Sequence, residues 1–204
     1  RALAEVEGRA GLGALHGDPF LFYARIYLYV QNGESGVGCS IACTDGMVRV
    51  LEALGDHAIH EEAVQNIRSS TADRFWHGAQ FVTEIQGGSD VPANRTEAIR
   101  EPDGFRIVGR KWFCSNINAD YFLVTARPTE GGGDGSPVGL FFVPARLPGE
   151  RGRNGHTVDQ LKDKLGTREL ATAEVTFHGA RAYPVGPLDR GLSNLVRHVL
   201  VPSR

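Results

Sequence analysis

Near Phe75 the hydrophobic pattern of this chain changes period, and the new period then holds for a hundred residues. Before it, apolar residues recur at helical spacing. After it, short alternating or continuously apolar runs follow one another with turn residues between them and no helical segment. Phe75 to Thr83, Thr96 to Arg100, Phe105 to Val108, Tyr121 to Ala126, Val138 to Val143 and Leu170 to Phe177 read as strands, with Asp103-Gly104 as a hairpin turn. A doubly wound nucleotide-binding sheet needs helices between its strands, so that architecture is excluded. The pattern predicts an α+β fold: a helical N-terminal domain over residues 1–74, an antiparallel β-barrel domain over 75–188, and the start of a further helical element over 189–204.

Within the helical part, Phe20 to Val30 is a dense apolar run that stops at Gln31-Asn32-Gly33, with Gly33 at the expected cap. Ser35-Gly36-Val37-Gly38 reads as a flexible joint. Cys43, Met47, Val50, Leu51 and Leu54 share one face of a second helix, and Glu61 to Arg68 forms a third. Gly46 inside the second helix is explained by a close helix or ligand approach, or by neutral drift. Gly191 to Val201 is a last helical run.

Bulk properties narrow the classes. A formal net charge of -2 gives no electrostatic case for nucleic-acid binding. No apolar run reaches the roughly 20 residues of a membrane helix, and the acidic start lacks the apolar core of a signal peptide. Three cysteines make no disulfide framework, and Cys39 and Cys43 with His57 and His60 have no zinc spacing. Cys39 and Cys43 are expected to be free, buried thiols in a reducing, cytoplasmic setting, with no metal bound.

Two segments carry chemistry. Thr83-Glu84-Ile85-Gln86-Gly87-Gly88-Ser89-Asp90 ends a strand in a glycine loop with hydroxyls at both ends. The loop suits a ring carbonyl or a pyrophosphate, or it is a plain glycine turn. Gly109-Arg110-Lys111-Trp112-Phe113-Cys114-Ser115-Asn116 places two aromatics beside a hydroxyl. That is an aromatic wall for a flat cofactor, or a core pair. Gly131 to Gly135 opens no helix and reads as a surface hairpin loop rather than a phosphate cradle. Leu161 to Glu169 reads as a solvated, charged turn.

Taken in order, these segments resemble the acyl-CoA dehydrogenase family. That family carries Thr-Glu-Pro-x-Ala-Gly-Ser-Asp, then Gly-x-Lys-x-(aromatic)-x-(Thr/Ser)-Asn. An Ala-Asp, a Phe-x-Val-Pro strand, a Lys-x-Gly-x-Arg turn and a Val-x-Phe strand follow. Here Thr83–Asp90, Gly109–Asn116, Ala119-Asp120, Phe141–Pro144, Lys164–Arg168 and Val175–Phe177 stand in the same order. The resemblance covers roughly residues 75 to 204. It implies FAD as cofactor, with Thr83 at the pyrimidine edge, Val82 giving backbone, Ser89 near the pyrophosphate and the acyl-CoA arm, Phe113 against the isoalloxazine, and Ser115 near N5. It implies α,β-dehydrogenation of an acyl-CoA thioester by a CH–CH oxidoreductase of fatty acid metabolism, with electron-transfer flavoprotein or oxygen as acceptor and a homo-oligomeric whole.

Ile85 and Gly87 depart from the family's Pro and Ala. The Gln-Gly-Gly-Ser-Asp form with Lys111-Trp112-Phe113 is similar to the AidB-like branch. The alternatives are therefore a flavoprotein with a DNA-associated or alkylation-stress role and little turnover, or a flavin monooxygenase of the same fold. In the family a C-terminal helical domain supplies the catalytic Glu. Arg204 resembles the Arg that opens it and is a candidate substrate contact. Ser203 stands where some branches place the Glu, so no catalytic base is assigned. The chain alone is expected to be inactive and to hold FAD poorly.

Overall fold

The computed structural model describes residues 18–31, 36–71, 73–129 and 137–202. Three helices come first: α1 (Pro19–Val30), α2 (Gly36–Leu54) and α3 (Ala58–Arg68). Asp18 caps α1, its Oδ1 accepting from Leu21 N–H at 3.0 Å, and proline sits in the first turn, where a missing N–H costs nothing. Gly36 and Gly38, read as part of a joint, are instead in the first turn of α2. Gly33, Ser35 and Gly131–Gly135 lie outside the described residues.

Seven strands follow: β1 (Gly78–Phe81), β2 (Glu97–Glu101), β3 (Gly104–Ser115), β4 (Tyr121–Pro128), β5 (Gly139–Pro144), β6 (His156–Leu161) and β7 (Thr172–Pro184). They form one sheet in the order β1-β4-β2-β3-β7-β5, with β4 also pairing β5 and β6 pairing β7, so it curls round on itself. The fold class is the expected one. Most pairings are antiparallel, while β1–β4 and β2–β4 run parallel. The expected last helix is present: α4 (Gly191–Leu195) runs without a break into a π-helical turn over Val196–Leu200.

Two cores explain the sequence pattern. One fills the curled sheet and contains Phe81, Phe105, Ile107, Phe122, Val124, Phe141 and Phe177. The other lies between sheet and helices and contains Met47, Leu51, Ile67, Tyr121, Leu123, Leu140 and Phe142. Strands β4 and β5 send alternate residues into each, which is why both read as unbroken apolar runs. Gly46 is the close-approach glycine: a Cβ there would meet Val199 Cγ1 at 2.5 Å. α2 thus touches the C-terminal turn at the one position that admits it.

Candidate functional site

The two chemistry-bearing segments converge. Trp112 N–H donates to the Thr83 carbonyl at 2.8 Å, so the glycine loop is stitched to β3. Beneath this stitch lies a buried ion pair. Lys111 Nζ, with no solvent exposure, donates to Glu84 Oε1 at 2.7 Å, Val82 O at 3.2 Å and Thr125 Oγ1 at 3.2 Å. Its three protons have three acceptors. Glu84 is equally saturated. It also accepts from Thr96 N–H at 3.1 Å, Arg95 N–H at 2.7 Å and Gln86 Nε2 at 2.7 Å. Burial pushes the Glu84 carboxyl up, but Lys111 and the N–H donors outweigh it and hold the group below the usual carboxylate range. The Glu84–Lys111 pair is therefore a structural clamp on the loop.

A bulge in β3 sets the direction of the aromatics. Lys111 pairs with Val175 and Cys114 with Ala173, so Trp112 and Phe113 together oppose the single residue Glu174. Lys111 and Cys114 point inward, and the extra residue keeps both aromatics off the barrel core. Their roles then differ. Trp112 is half-buried under Lys162, whose Nζ lies 3.4 Å from the ring centroid, and Glu174 Oε1 accepts from that ammonium at 2.6 Å. Phe113 stays 48% exposed, a large flat ring on an outer face. Between the two segments, a cavity of about 210 Å³ is lined by Glu84, Ile85, Thr96, Arg110 and Trp112 among others.

Ser115 ends β3. Its Oγ lies 3.1 Å from Thr172 Oγ1, which accepts from Lys164 Nζ at 2.9 Å. Thr172 Oγ1 also donates to Leu170 O at 3.4 Å, so either hydroxyl can be the donor between Ser115 and Thr172. Asn116, at φ 56°, turns the chain away, and its Nδ2 donates to Gly78 O at 3.1 Å.

The structure distributes the five cofactor candidates unevenly. Thr83 and Ser89 have hydroxyls with no partner among the described residues; Thr83 is half-buried and Ser89 exposed at the loop rim. Phe113 and Ser115 share the end of β3. The Val82 carbonyl accepts from Asn94 Nδ2 at 2.6 Å and from Lys111, so that oxygen is engaged by the clamp. Gly87 is explained by the turn itself. Its N–H donates to Glu84 O at 3.1 Å, and a Cβ would meet Asn94 Oδ1 at 2.3 Å. Arg204 and Ser203 lie outside the described residues.

Lys111 and Lys164 stand in the sequence motifs without a role assigned to them, and Thr172 was not singled out. Lys111 was findable, since Phe105, Ile107 and residue 111 share strand parity and a lysine facing a core demands a carboxylate partner. Cys39 and Cys43 are free as expected but half-buried, not buried; Cys114 is buried. The Lys164 ammonium acts electrostatically on Cys39. A concavity of about 520 Å³ beside Trp76, Tyr121 and Arg153 includes none of the five residues. Among the described residues no group of three or more His, Cys, Asp or Glu is placed to hold a metal, and no helix is long and apolar enough to cross a membrane.

Comparison with known proteins agrees with this geometry. The family description "Acyl-CoA dehydrogenase, middle domain" matches residues 79–180, from β1 into β7. Acyl-CoA dehydrogenase family member 11 of Caenorhabditis elegans is 36% identical over 190 residues, covering 87% of this chain and 31% of that protein. Putative acyl-CoA dehydrogenase AidB of Escherichia coli is 43% identical over 117 residues, covering 57% of this chain and 20% of that protein. The crystal structure of C. elegans ACDH-11 in complex with C11-CoA superposes with a TM-score of 0.85 at 30% identity, covering 95% of this chain and 35% of that one. This chain thus spans about a third or less of these relatives. The matched span contains both converging segments and the strands that hold them, and on that ground the chain belongs to the acyl-CoA dehydrogenase family.

Proposed function

We propose that this chain supplies one wall of an FAD site in a protein that oxidises acyl-CoA thioesters at the α,β bond. The observation that carries the reading is the outer face where Thr83 and Trp112 are joined. Two unpartnered hydroxyls, Thr83 and Ser89, flank it, the exposed ring of Phe113 stands on it, and Ser115 closes its end. This donor set fits a flat heterocycle with polar edges and an anionic tail. Bound there, FAD would accept a hydride from the substrate's β-carbon. Phe113 would stack on the ring, the Thr83 and Ser115 hydroxyls would bond its polar edges, and Ser89 would reach the phosphates and the thioester arm. The Glu84–Lys111 clamp would keep the loop in register with β3. Electron-transfer flavoprotein or oxygen is the proposed acceptor, a homo-oligomer the proposed assembly, and 1–74, 75–188 and 189–204 the proposed division of the chain.

The test is anaerobic addition of acyl-CoA thioesters of graded chain length to the flavin-loaded full-length protein. Loss of the visible flavin band with at least one thioester is the expected result. The 43% identity to AidB favours a second reading, an AidB-like flavoprotein with little turnover. A bound flavin that no thioester in the series reduces would select it over the first.

A further inference from the structure

The face of α2 that turns toward Lys164 carries two thiols. Cys39 and Cys43 stand one helical turn apart, and their sulfurs are 3.9 Å from each other. In helical geometry Cα atoms four residues apart are about 6.2 Å apart. That lies inside the roughly 4.4–6.8 Å span that disulfides bridge, while helical Cβ atoms four residues apart, about 5–6 Å from each other, exceed the roughly 3.5–4.5 Å a disulfide needs, so this turn must unwind to close one. Neither thiol is fully buried.

The two sulfurs are chemically unequal. Cys39 lies in the first turn of α2, where unpaired helix N–H groups favour negative charge. The hydrogen bond from Cys43 lowers the Cys39 thiol to about 7 against the opposing effect of burial, and the Lys164 ammonium adds to the lowering. The same hydrogen bond and burial push Cys43 up, and burial pushes Cys114 up. Of the two, Cys39 is the one that ionises more readily, with Cys43 held as the thiol beside it.

We propose that Cys39 is a site of reversible oxidation by hydroperoxides, with Cys43 as the partner that closes a disulfide. The Cys39 thiolate attacks a peroxide oxygen. The O–O bond breaks, an S–O bond forms, and the other oxygen leaves, protonated, as water or an alcohol. Cys43 then gives up its proton and its sulfur attacks the Cys39 sulfur. The S–S bond forms as the S–O bond breaks, and the hydroxyl leaves with that proton as water. Two thiols are oxidised by two electrons and one peroxide is reduced. Closure needs the sulfurs to move from 3.9 Å to about 2.05 Å. Gly36 and Gly38, poor helix formers in the same turn, make this the segment of α2 that yields most easily.

The site also reaches the candidate flavin face. Lys164, which faces Cys39, donates to Leu170 O at 2.7 Å and to Thr172 Oγ1, the partner of Ser115. Oxidation removes the negative charge beside that ammonium. The thiol chemistry itself does not depend on a flavin being bound.

The experiment treats full-length protein with hydrogen peroxide, blocks remaining thiols with iodoacetamide and digests with trypsin without reduction. Cleavage after Arg25 and Arg49 leaves both cysteines in one peptide. The expected product is that peptide unlabelled and lighter by two hydrogens, restored by dithiothreitol, with Cys114 unmodified. In Cys43→Ser, dimedone is expected to label Cys39 as its sulfenic acid. The proposal is overturned if both thiols alkylate as in untreated protein, or if Cys114 oxidises as readily as Cys39.

Discussion

Replacing Lys111 by alanine is expected to destabilise the protein by about 3–5 kcal/mol, the range for removing one partner of a buried ion pair. The substitution strips Glu84 of its charge partner at 2.7 Å and leaves a carboxylate 4% exposed to solvent. It also deprives Val82 O and Thr125 Oγ1 of a donor. Glu84→Gln keeps an acceptor oxygen for Lys111 beside Val82 O and Thr125 Oγ1, so the ammonium stays hydrogen-bonded and the substitution is expected to cost less. Denaturant midpoints of the two variants in full-length protein measure the difference. A loss under 1 kcal/mol for Lys111→Ala would mean that the pair does not clamp the loop.

Acidification from pH 6.5 to 4.5 is expected to weaken the fold by several kcal/mol before the Glu84 and Asp159 carboxylates are lost. Burial lowers His60 to about 4, helped by His57 and opposed by Asp56. Burial also lowers His77 to about 4, opposed by Asp120 and helped by Arg74. A histidine whose folded value is depressed stays neutral in the fold while the unfolded chain protonates below about 6.5, so stability falls as pH drops through that window. Each residue contributes roughly 2–3 kcal/mol at pH 4.5. Glu84 and Asp159 are held below the usual carboxylate range, so their contributions are lost only at lower pH. Among the described residues His60 Nε2 has no hydrogen-bond partner, and Phe142 and Tyr183 pack against the ring. Denaturation at a series of pH values, in wild type and in His60→Gln with His77→Gln, should show a slope that the double variant flattens. Equal curves would refute the assignment.

The helices and most strands were legible because their pattern is local. Met47, Leu51 and Leu54 mark one face of α2 whatever surrounds it, and the double apolar loading of β4 and β5 signals two cores. Strand β6 was not legible. His156–Leu161 is polar and pairs only with β7, so nothing in its own composition demands burial. The site was half legible. The order of its segments announced that Thr83 and Phe113 belong together, and the Trp112–Thr83 hydrogen bond joins their strands. The bulge that turns both aromatics off the core depends on the register with Val175 and Ala173, about sixty residues away. No local pattern encodes that register. The occupied Val82 carbonyl was invisible for the same reason, since Asn94 and Lys111 reach it from two other elements.

The central claim is that the face formed by Thr83, Ser89, Phe113 and Ser115 holds a flavin. The most direct test is the visible spectrum of the full-length protein, as purified and after titration with FAD, beside Thr83→Val and Ser115→Ala. The account predicts saturable binding of one FAD per chain. Each variant should bind several-fold more weakly, as expected for losing a neutral hydrogen bond of about 0.5–1.5 kcal/mol, with its fold intact. A full-length protein that carries no flavin and takes up none when it is added would contradict the account, even with every strand in its place.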